Sequence, residues 1–155
     1  MALTACSSSH QLTQSRAFRL KEVPFTALPS WNYDNFQEAL PAIALDGHVA
    51  LTTAYLNDCE PLMCFAQQVQ GYGCEGDVLL AISTSGNSQN VLYAATVAKA
   101  KGLKVIGLTG ANESKLSAIA DVCVRVPQTE TYMIQELLLP VYHWFCLKLE
   151  ETFWK

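Results

Sequence analysis

Ser83, Thr84, Ser85 and Ser88 place four side-chain hydroxyls within six residues, around Gly86 and Asn87. Hydroxyls at that density suit the capture of an oxyanion, because each supplies a neutral donor. Just before them, Val78–Ile82 reads VLLAI, a continuous apolar run of the kind a parallel strand covered on both faces needs. The chain beyond Ser88 carries a helical pattern. Strand, hydroxyl loop and helix therefore follow one another, with the helix's free N–H groups and positive dipole end facing the hydroxyls. Gly86 lets the backbone turn tightly and approach a ligand. A phosphate held this way needs no lysine. A plainer reading is a helix start capped by one serine, but four hydroxyls and a glycine exceed what a cap requires.

His143 is the second residue whose type suggests chemistry, since imidazole titrates near neutrality. Gln135 precedes it by eight residues, about two helical turns, so both can project from one face. Read from the residues alone, the packed helix histidine between Tyr142 and Trp144 is the favoured reading of His143, because one histidine on a helix is not a constellation.

The elements that must position these residues alternate. Pro41–Leu45 reads as a short strand, His48–Leu56 and Pro61–Gln70 as helices, and Val78–Ile82 as a strand. Ser88–Lys101 is a helix with Val91, Leu92, Ala95 and Ala98 on one face, and Gly102 stands where a left-handed C-terminal residue belongs. Leu103–Leu108 is the next strand, Glu113–Ala120 a short helix, and Val122–Val126 a strand stopped by Pro127. Thr131–Glu150 is a long helix whose apolar face includes Ile134, Leu137, Leu138, Val141, Phe145 and Leu149, with Pro140 expected to kink it or remove one hydrogen bond. Strands alternating with helices at this spacing predict right-handed crossovers and a parallel sheet. Ligands then bind beyond the carboxyl ends of the strands. The Ser83 loop lies at such an end, and so does the polar turn Thr109–Asn112. The first forty residues are less regular. Ala2–Cys6 fits a strand, Ser7–His10 a polar loop, Gln11–Lys21 a helix and Pro24–Glu38 an irregular insertion.

The bulk composition narrows the class. A chain of 155 residues suits a single domain, and with half its residues apolar and 15% charged it is expected to bury some surface against another subunit. A net charge of −4 offers no basic face for nucleic acid. The six cysteines include no CxxC pair, which argues against a zinc knuckle and for a reduced, cytoplasmic setting. Leu3–Cys6 superficially matches a lipoprotein cleavage box, but the residues before Cys6 include neither a basic segment nor an apolar one, so no leader is expected there. No apolar run is long enough for a membrane span.

Pro41–Glu150 resembles the sugar isomerase (SIS) domain family, in its phosphoheptose isomerase branch. The resemblance is carried by PAIAL at 41–45, Asn57 and Asp58, GDVLLAISTSGNS at 76–88, AKGLKVIGLTG at 100–110, RVP at 125–127, Gln135 with Glu136, and His143. It implies an α/β fold, a three-layer α-β-α sandwich with a five-stranded parallel sheet, forming one SIS domain over residues 1–155. It also implies a cytoplasmic homo-oligomer, a tetramer or dimer, with sites at subunit interfaces. The implied reaction converts sedoheptulose 7-phosphate to glycero-manno-heptose 7-phosphate. Ser83, Thr84, Ser85 and Ser88 would hold the sugar phosphate, and Asn57, Asp58 and Gln135 would contact substrate. His143 would be catalytic, and with Gln135 it would ligate zinc in metal-loaded members. No organic cofactor is implied.

Residues 1–40 diverge from the family and lack its usual N-terminal helix. The family's first loop is rich in glycine and asparagine and leads into a helix carrying His-x-x-x-Glu, whose glutamate is the base. Residues 6–14 here read CSSSHQLTQ. Aligning Phe18 with a family phenylalanine puts Lys21 at the base position with Glu22 beside it; aligning His10 with the metal histidine puts Gln14 there. Glu22 is the candidate base. Glu136 neighbours Gln135 and points to another side of its helix, and His48 is expected to be a surface histidine without a role. The alternative to an isomerase is a non-catalytic phosphosugar-binding or regulatory, protein-interaction module, of which the family holds an example in the initiator-associating protein that binds the replication initiator.

Overall fold

The computed structural model of the protein describes residues 2–5 and 40–154. Strand β1 is Ala2–Ala5 and β2 is Ala42–Ala44, followed by a 3₁₀ turn at Leu45–Gly47. Helix α1 is Val49–Asp58. A second 3₁₀ turn, Pro61–Met63, leads into α2, Cys64–Tyr72. Then come β3 at Val78–Ile82, α3 at Gln89–Ala100, β4 at Lys104–Thr109, α4 at Lys115–Ile119, β5 at Val122–Arg125 and α5 at Thr131–Trp154.

These bounds sit within a few residues of the sequence expectations, and β3 matches its predicted span. Two helices differ. The segment after Glu60 starts as a 3₁₀ turn, with Pro61 at its first position and the Glu60 side chain accepting from the Leu62 amide, and becomes α-helical at Cys64. Helix α5 runs on to Trp154 and passes through Pro140 as one element. The Ser7–His10 loop, the Gln11–Lys21 helix and the Pro24–Glu38 insertion lie outside the described residues, as does Glu22.

The sheet has five strands in the order β2-β1-β3-β4-β5. Strands β3, β4 and β5 pair in parallel, Leu80 opposite Ile106 and Leu108 opposite Val124. The expectation of an all-parallel sheet fails at β1, which pairs antiparallel with both β2 and β3. A parallel neighbour needs a crossover and an antiparallel one does not. The hydrophobic pattern of Ala2–Ala5 carries no information on which of these it will be.

Helices cover both faces of the parallel part. Leu79, Ala81 and Val105 face one way and pack with Val69 of α2, with Val91, Ala94, Ala95 and Ala98 of α3, and with Leu116 of α4. Leu80, Ile82, Leu108 and Val124 face the other way and pack with Ile134, Leu138, Val141 and Phe145 of α5. Each fully buried Leu or Val contributes about 1.5–3 kcal/mol. Small residues on α3 let it lie close to the sheet, and a Schellman stop ends it. The Leu103 amide donates to the Ala98 carbonyl (2.9 Å), the Gly102 amide donates to the Lys99 carbonyl (3.1 Å), and Gly102 has φ +79°. This stop aims β4 back alongside β3.

Not every helix is covered. Helix α1 buries no side chain fully, with Val49 and Leu56 exposed, and α5 exposes Tyr132, Trp144, Leu147 and Phe153. Among the described residues, no helix is long and apolar enough to cross a membrane. The five described cysteines are all unpaired. His48, expected on the surface, is half-buried; its ring stacks on Tyr72 at 5.5 Å and its Nε2 lies 3.1 Å from the tyrosine hydroxyl.

Candidate functional site

The loop between β3 and α3 begins as a tight turn. The Gly86 amide donates to the Ser83 carbonyl (3.1 Å), and Gly86 has φ +65°. A side chain at Gly86 would also strike the Ser114 side chain, so both the backbone and the space demand glycine. Strand β4 holds the loop from one side, where the Ser83 amide donates to the Leu108 carbonyl (3.0 Å) and the Gly110 amide to the Thr84 carbonyl (3.0 Å). Helix α4 holds it from another, the Leu116 amide donating to the Gly86 carbonyl (3.0 Å). That end of α4 is itself fixed by a capping box between Ser114 and Ser117.

Ser88 occupies the cap position of α3, yet its side chain makes no capping bond to the helix. Its hydroxyl instead accepts from the buried Ser83 hydroxyl at 3.0 Å. Ser85 Oγ likewise accepts, from the Asn87 amide at 3.1 Å. Both exposed serines thus receive a hydrogen bond from the protein, which leaves their own protons free to donate outward. The start of α3 lies beside them, where a helix leaves N–H groups without intrahelical acceptors; of these the Val91 amide donates to Asn90 Oδ1 at 2.9 Å. A single N-cap does not account for this arrangement, which has donors of the kind that helix starts offer to anions.

The loop opens on a cleft of about 300 Å³ at the carboxyl ends of β3, β4 and β5. Its lining includes Thr84, Ser85, Asn87, Asn112, Gln128 and Thr131. Glu113 is the sole ionisable residue in that lining, with its side chain 93% exposed and 4.0 Å from Arg125. The cleft is therefore polar and nearly uncharged, suited to hydroxyl groups attached to a captured anion.

Of the residues singled out from sequence, Thr84 and Ser85 line this cleft; Ser88 is exposed but outside the lining, with the buried Ser83 donating to it. Asn57 and Asp58 end α1, exposed and outside the lining. Gln135, Glu136 and His143 are exposed on α5, also outside it; Thr131 and Ile134 are the α5 residues that reach the cleft. The His143 ring meets Tyr142 edge-on at 5.0 Å. Among the described residues no group of three His, Cys, Asp or Glu could hold a metal ion. Gln135 and His143 therefore do not by themselves make a zinc site, and no step is routed through one. The β5–α5 loop, with Gln128 and Thr129, is not among the residues singled out from sequence. The signal was present, since polar residues follow Pro127 at a strand's carboxyl end, as they follow β3 and β4.

One carboxylate departs from its usual range. Asp121, before β5, is lowered from 3.8 to about 2, first because it accepts from the Lys99 ammonium (2.8 Å) and next because it accepts from the Val105 amide (2.8 Å). It lies at the end of the sheet opposite the cleft.

This fold and loop can be set beside known proteins. The SIS domain model matches residues 35–110. The phosphoheptose isomerase of Neisseria gonorrhoeae superposes with a TM-score of 0.67 at 32% identity, over 92% of this chain and 72% of that one. The chain belongs to the SIS domain family. Within that family its similarity is to phosphoheptose isomerases. A second such structure, from Francisella tularensis, gives a TM-score of 0.70 at 40% identity over 73% of this chain and 63% of that one. The phosphoheptose isomerase of Rhodospirillum rubrum is 46% identical over 113 residues, 73% of this chain. That of Aneurinibacillus thermoaerophilus is 40% identical over 116 residues, 75% of this chain. The SIS chain spans about 60% of the length of these two curated relatives.

Proposed function

We propose that this protein is a phosphosugar isomerase that interconverts sedoheptulose 7-phosphate and glycero-manno-heptose 7-phosphate. The observation that carries the reading is the β3–α3 loop. Ser85 and Ser88 each accept a hydrogen bond from the protein, which leaves their protons free to donate beside the start of α3, and Ser85 lines a polar cleft whose one ionisable residue is Glu113. The likeness to enzymes named phosphoheptose isomerase supports it.

The phosphoryl end is held by Ser85 and Ser88 with the first amides of α3, and Ser83 and Thr84 complete the loop. The open-chain polyol extends over Asn112, Gln128 and Thr131; Asn57, Asp58 and Gln135, which lie outside this lining, contact it from a neighbouring copy of the homo-oligomer. Isomerisation moves a proton from C1 of the ketose to C2 through an enediol, while a second proton passes from the C1 oxygen's hydroxyl side to the C2 oxygen, so the atoms balance. It needs a base at the carbons and an acid at the oxygens. His143 is assigned to one of these roles and Glu22 to the other. One SIS domain over residues 1–155 performs this chemistry in the cytoplasm as a homo-oligomer, tetramer or dimer. The exposed apolar side chains of α1 and α5, Leu56, Trp144 and Leu147 among them, support burial against another copy.

The test is incubation with sedoheptulose 7-phosphate in deuterated water, followed by NMR. Deuterium at C2 of the aldose, or at C1 of recovered ketose, is the expected result. Phosphate binding without isotope incorporation would leave a binding module in place of an enzyme. Glu22→Gln is expected to lower turnover by about two to four orders of magnitude; full turnover in that variant removes Glu22 from the mechanism.

A further inference from the structure

Asn87 is exposed, yet three hydrogen bonds hold it in one orientation. Its backbone amide donates to Ser85 Oγ at 3.1 Å and its side-chain Nδ2 donates to the Ser85 carbonyl at 3.0 Å. Its Oδ1 accepts from the Lys115 amide at 3.1 Å. One residue therefore grips Ser85 at both ends and ties it to the first residue of α4. Beside it, the Gly86 carbonyl takes the next amide of α4, that of Leu116, at 3.0 Å.

We infer that Asn87 is a positioning residue for sugar-phosphate capture, holding Ser85 in its donor orientation by locking the β3–α3 loop to the start of α4. The inference rests on the phosphosugar reading above. A serine hydroxyl rotates freely unless its lone pair is engaged, and an anion that must first order it binds more weakly. The Asn87 amide engages that lone pair, but it stays in place only while the side chain is anchored, and the anchor is the Lys115 amide across 28 residues of chain. The expected consequence is coupling: an anion on Ser85 is felt at the amino end of α4, which contributes no side chain to the phosphate.

The experiment uses the full ¹⁵N-labelled chain, titrated with inorganic phosphate and with sedoheptulose 7-phosphate. In the unmodified protein the amide signals of Ser85, Lys115 and Leu116 are expected to shift together along one saturation curve. Asn87→Ala is expected to weaken both ligands at least about tenfold, the loss of one charge-assisted donor's alignment. In turnover, KM should rise by that factor while kcat changes less than about threefold, because the phosphate lies away from the reacting carbons. Asn87→Asp keeps the acceptor for Lys115 but loses the Nδ2 donor and adds a negative charge, so it should bind no better than Asn87→Ala. Binding by Asn87→Ala within twofold of the unmodified protein overturns the inference. So does a Lys115 signal that stays fixed while Ser85 saturates, a result that does not depend on any variant folding. If the unmodified protein binds neither ligand, the phosphosugar reading falls as well, which separates the two failures.

Discussion

The two ends of the β3–β4–β5 sheet use similar polar groups and leave them in different states. At the amino end, carboxylates are answered from within the chain. Asp121 accepts from Lys99 and from the Val105 amide, with Lys104 3.6 Å away, and Asp77 accepts from the Cys74 amide at 2.9 Å. At the carboxyl end, Ser85 and Ser88 accept from their neighbours and keep their protons for something outside the chain. Saturated polar groups hold a fold together; polar groups satisfied in one direction only are placed for a ligand. The contrast also explains why Asp121, a strongly perturbed carboxylate, lies far from the cleft. A shifted pKa marks strong partners, which a structural clasp supplies as readily as an active site does.

Four substitutions test this contrast. The largest effect is expected from Gly86→Val, which forces a branched side chain onto a left-handed backbone against Ser114. Displacing Ser85 and Ser88 together removes two bonds to a charged group, each about 1.5–3 kcal/mol, so sugar-phosphate affinity should drop at least about a hundredfold by calorimetry. Next is Ser88→Ala, expected to cost about tenfold or more in affinity while the melting temperature stays close to that of the unmodified protein. If both quantities fall together, the carboxyl end is structural after all and the contrast is lost.

Asp121→Asn is the reciprocal test: phosphate affinity unchanged, thermal stability lowered at neutral pH. The sign of its pH dependence follows from the lowered value. The carboxylate's stabilisation is fully present above 3.8 and is lost as pH falls from there through about 2. The stability gap between the two proteins should close across that window in a pH-resolved melting series. A gap that persists below it would mean that Asp121 acts through packing and not through charge. Smallest of all, Glu113→Gln should raise sugar-phosphate affinity by a few-fold at most, since exposed charges interact at about 0.2–1 kcal/mol. Added salt should erase that gain.

The parallel half of the sheet and the hydroxyl loop were legible because both are local. Val78–Ile82 had to be a buried strand from its unbroken apolar run, and Gly102 marked a helix end through a conformation that glycine adopts freely. The site was legible only in part. Thr84 and Ser85 line the cleft, Ser83 serves Ser88 from behind, and Ser88, Gln135 and His143 lie outside the lining. The walls come from residues far apart in sequence, Asn112, Gln128 and Thr131.

Short-range rules therefore determined the elements, their order and the strand–hydroxyl loop–helix succession, because apolar spacing, glycine and helix ends act over a few residues. The tertiary structure decided how β1 joins the sheet, which serine oxygens accept from their neighbours, and that Asn87 reaches Lys115. Those outcomes turn on hydrogen bonds between segments whose separation along the chain says nothing about their distance in space.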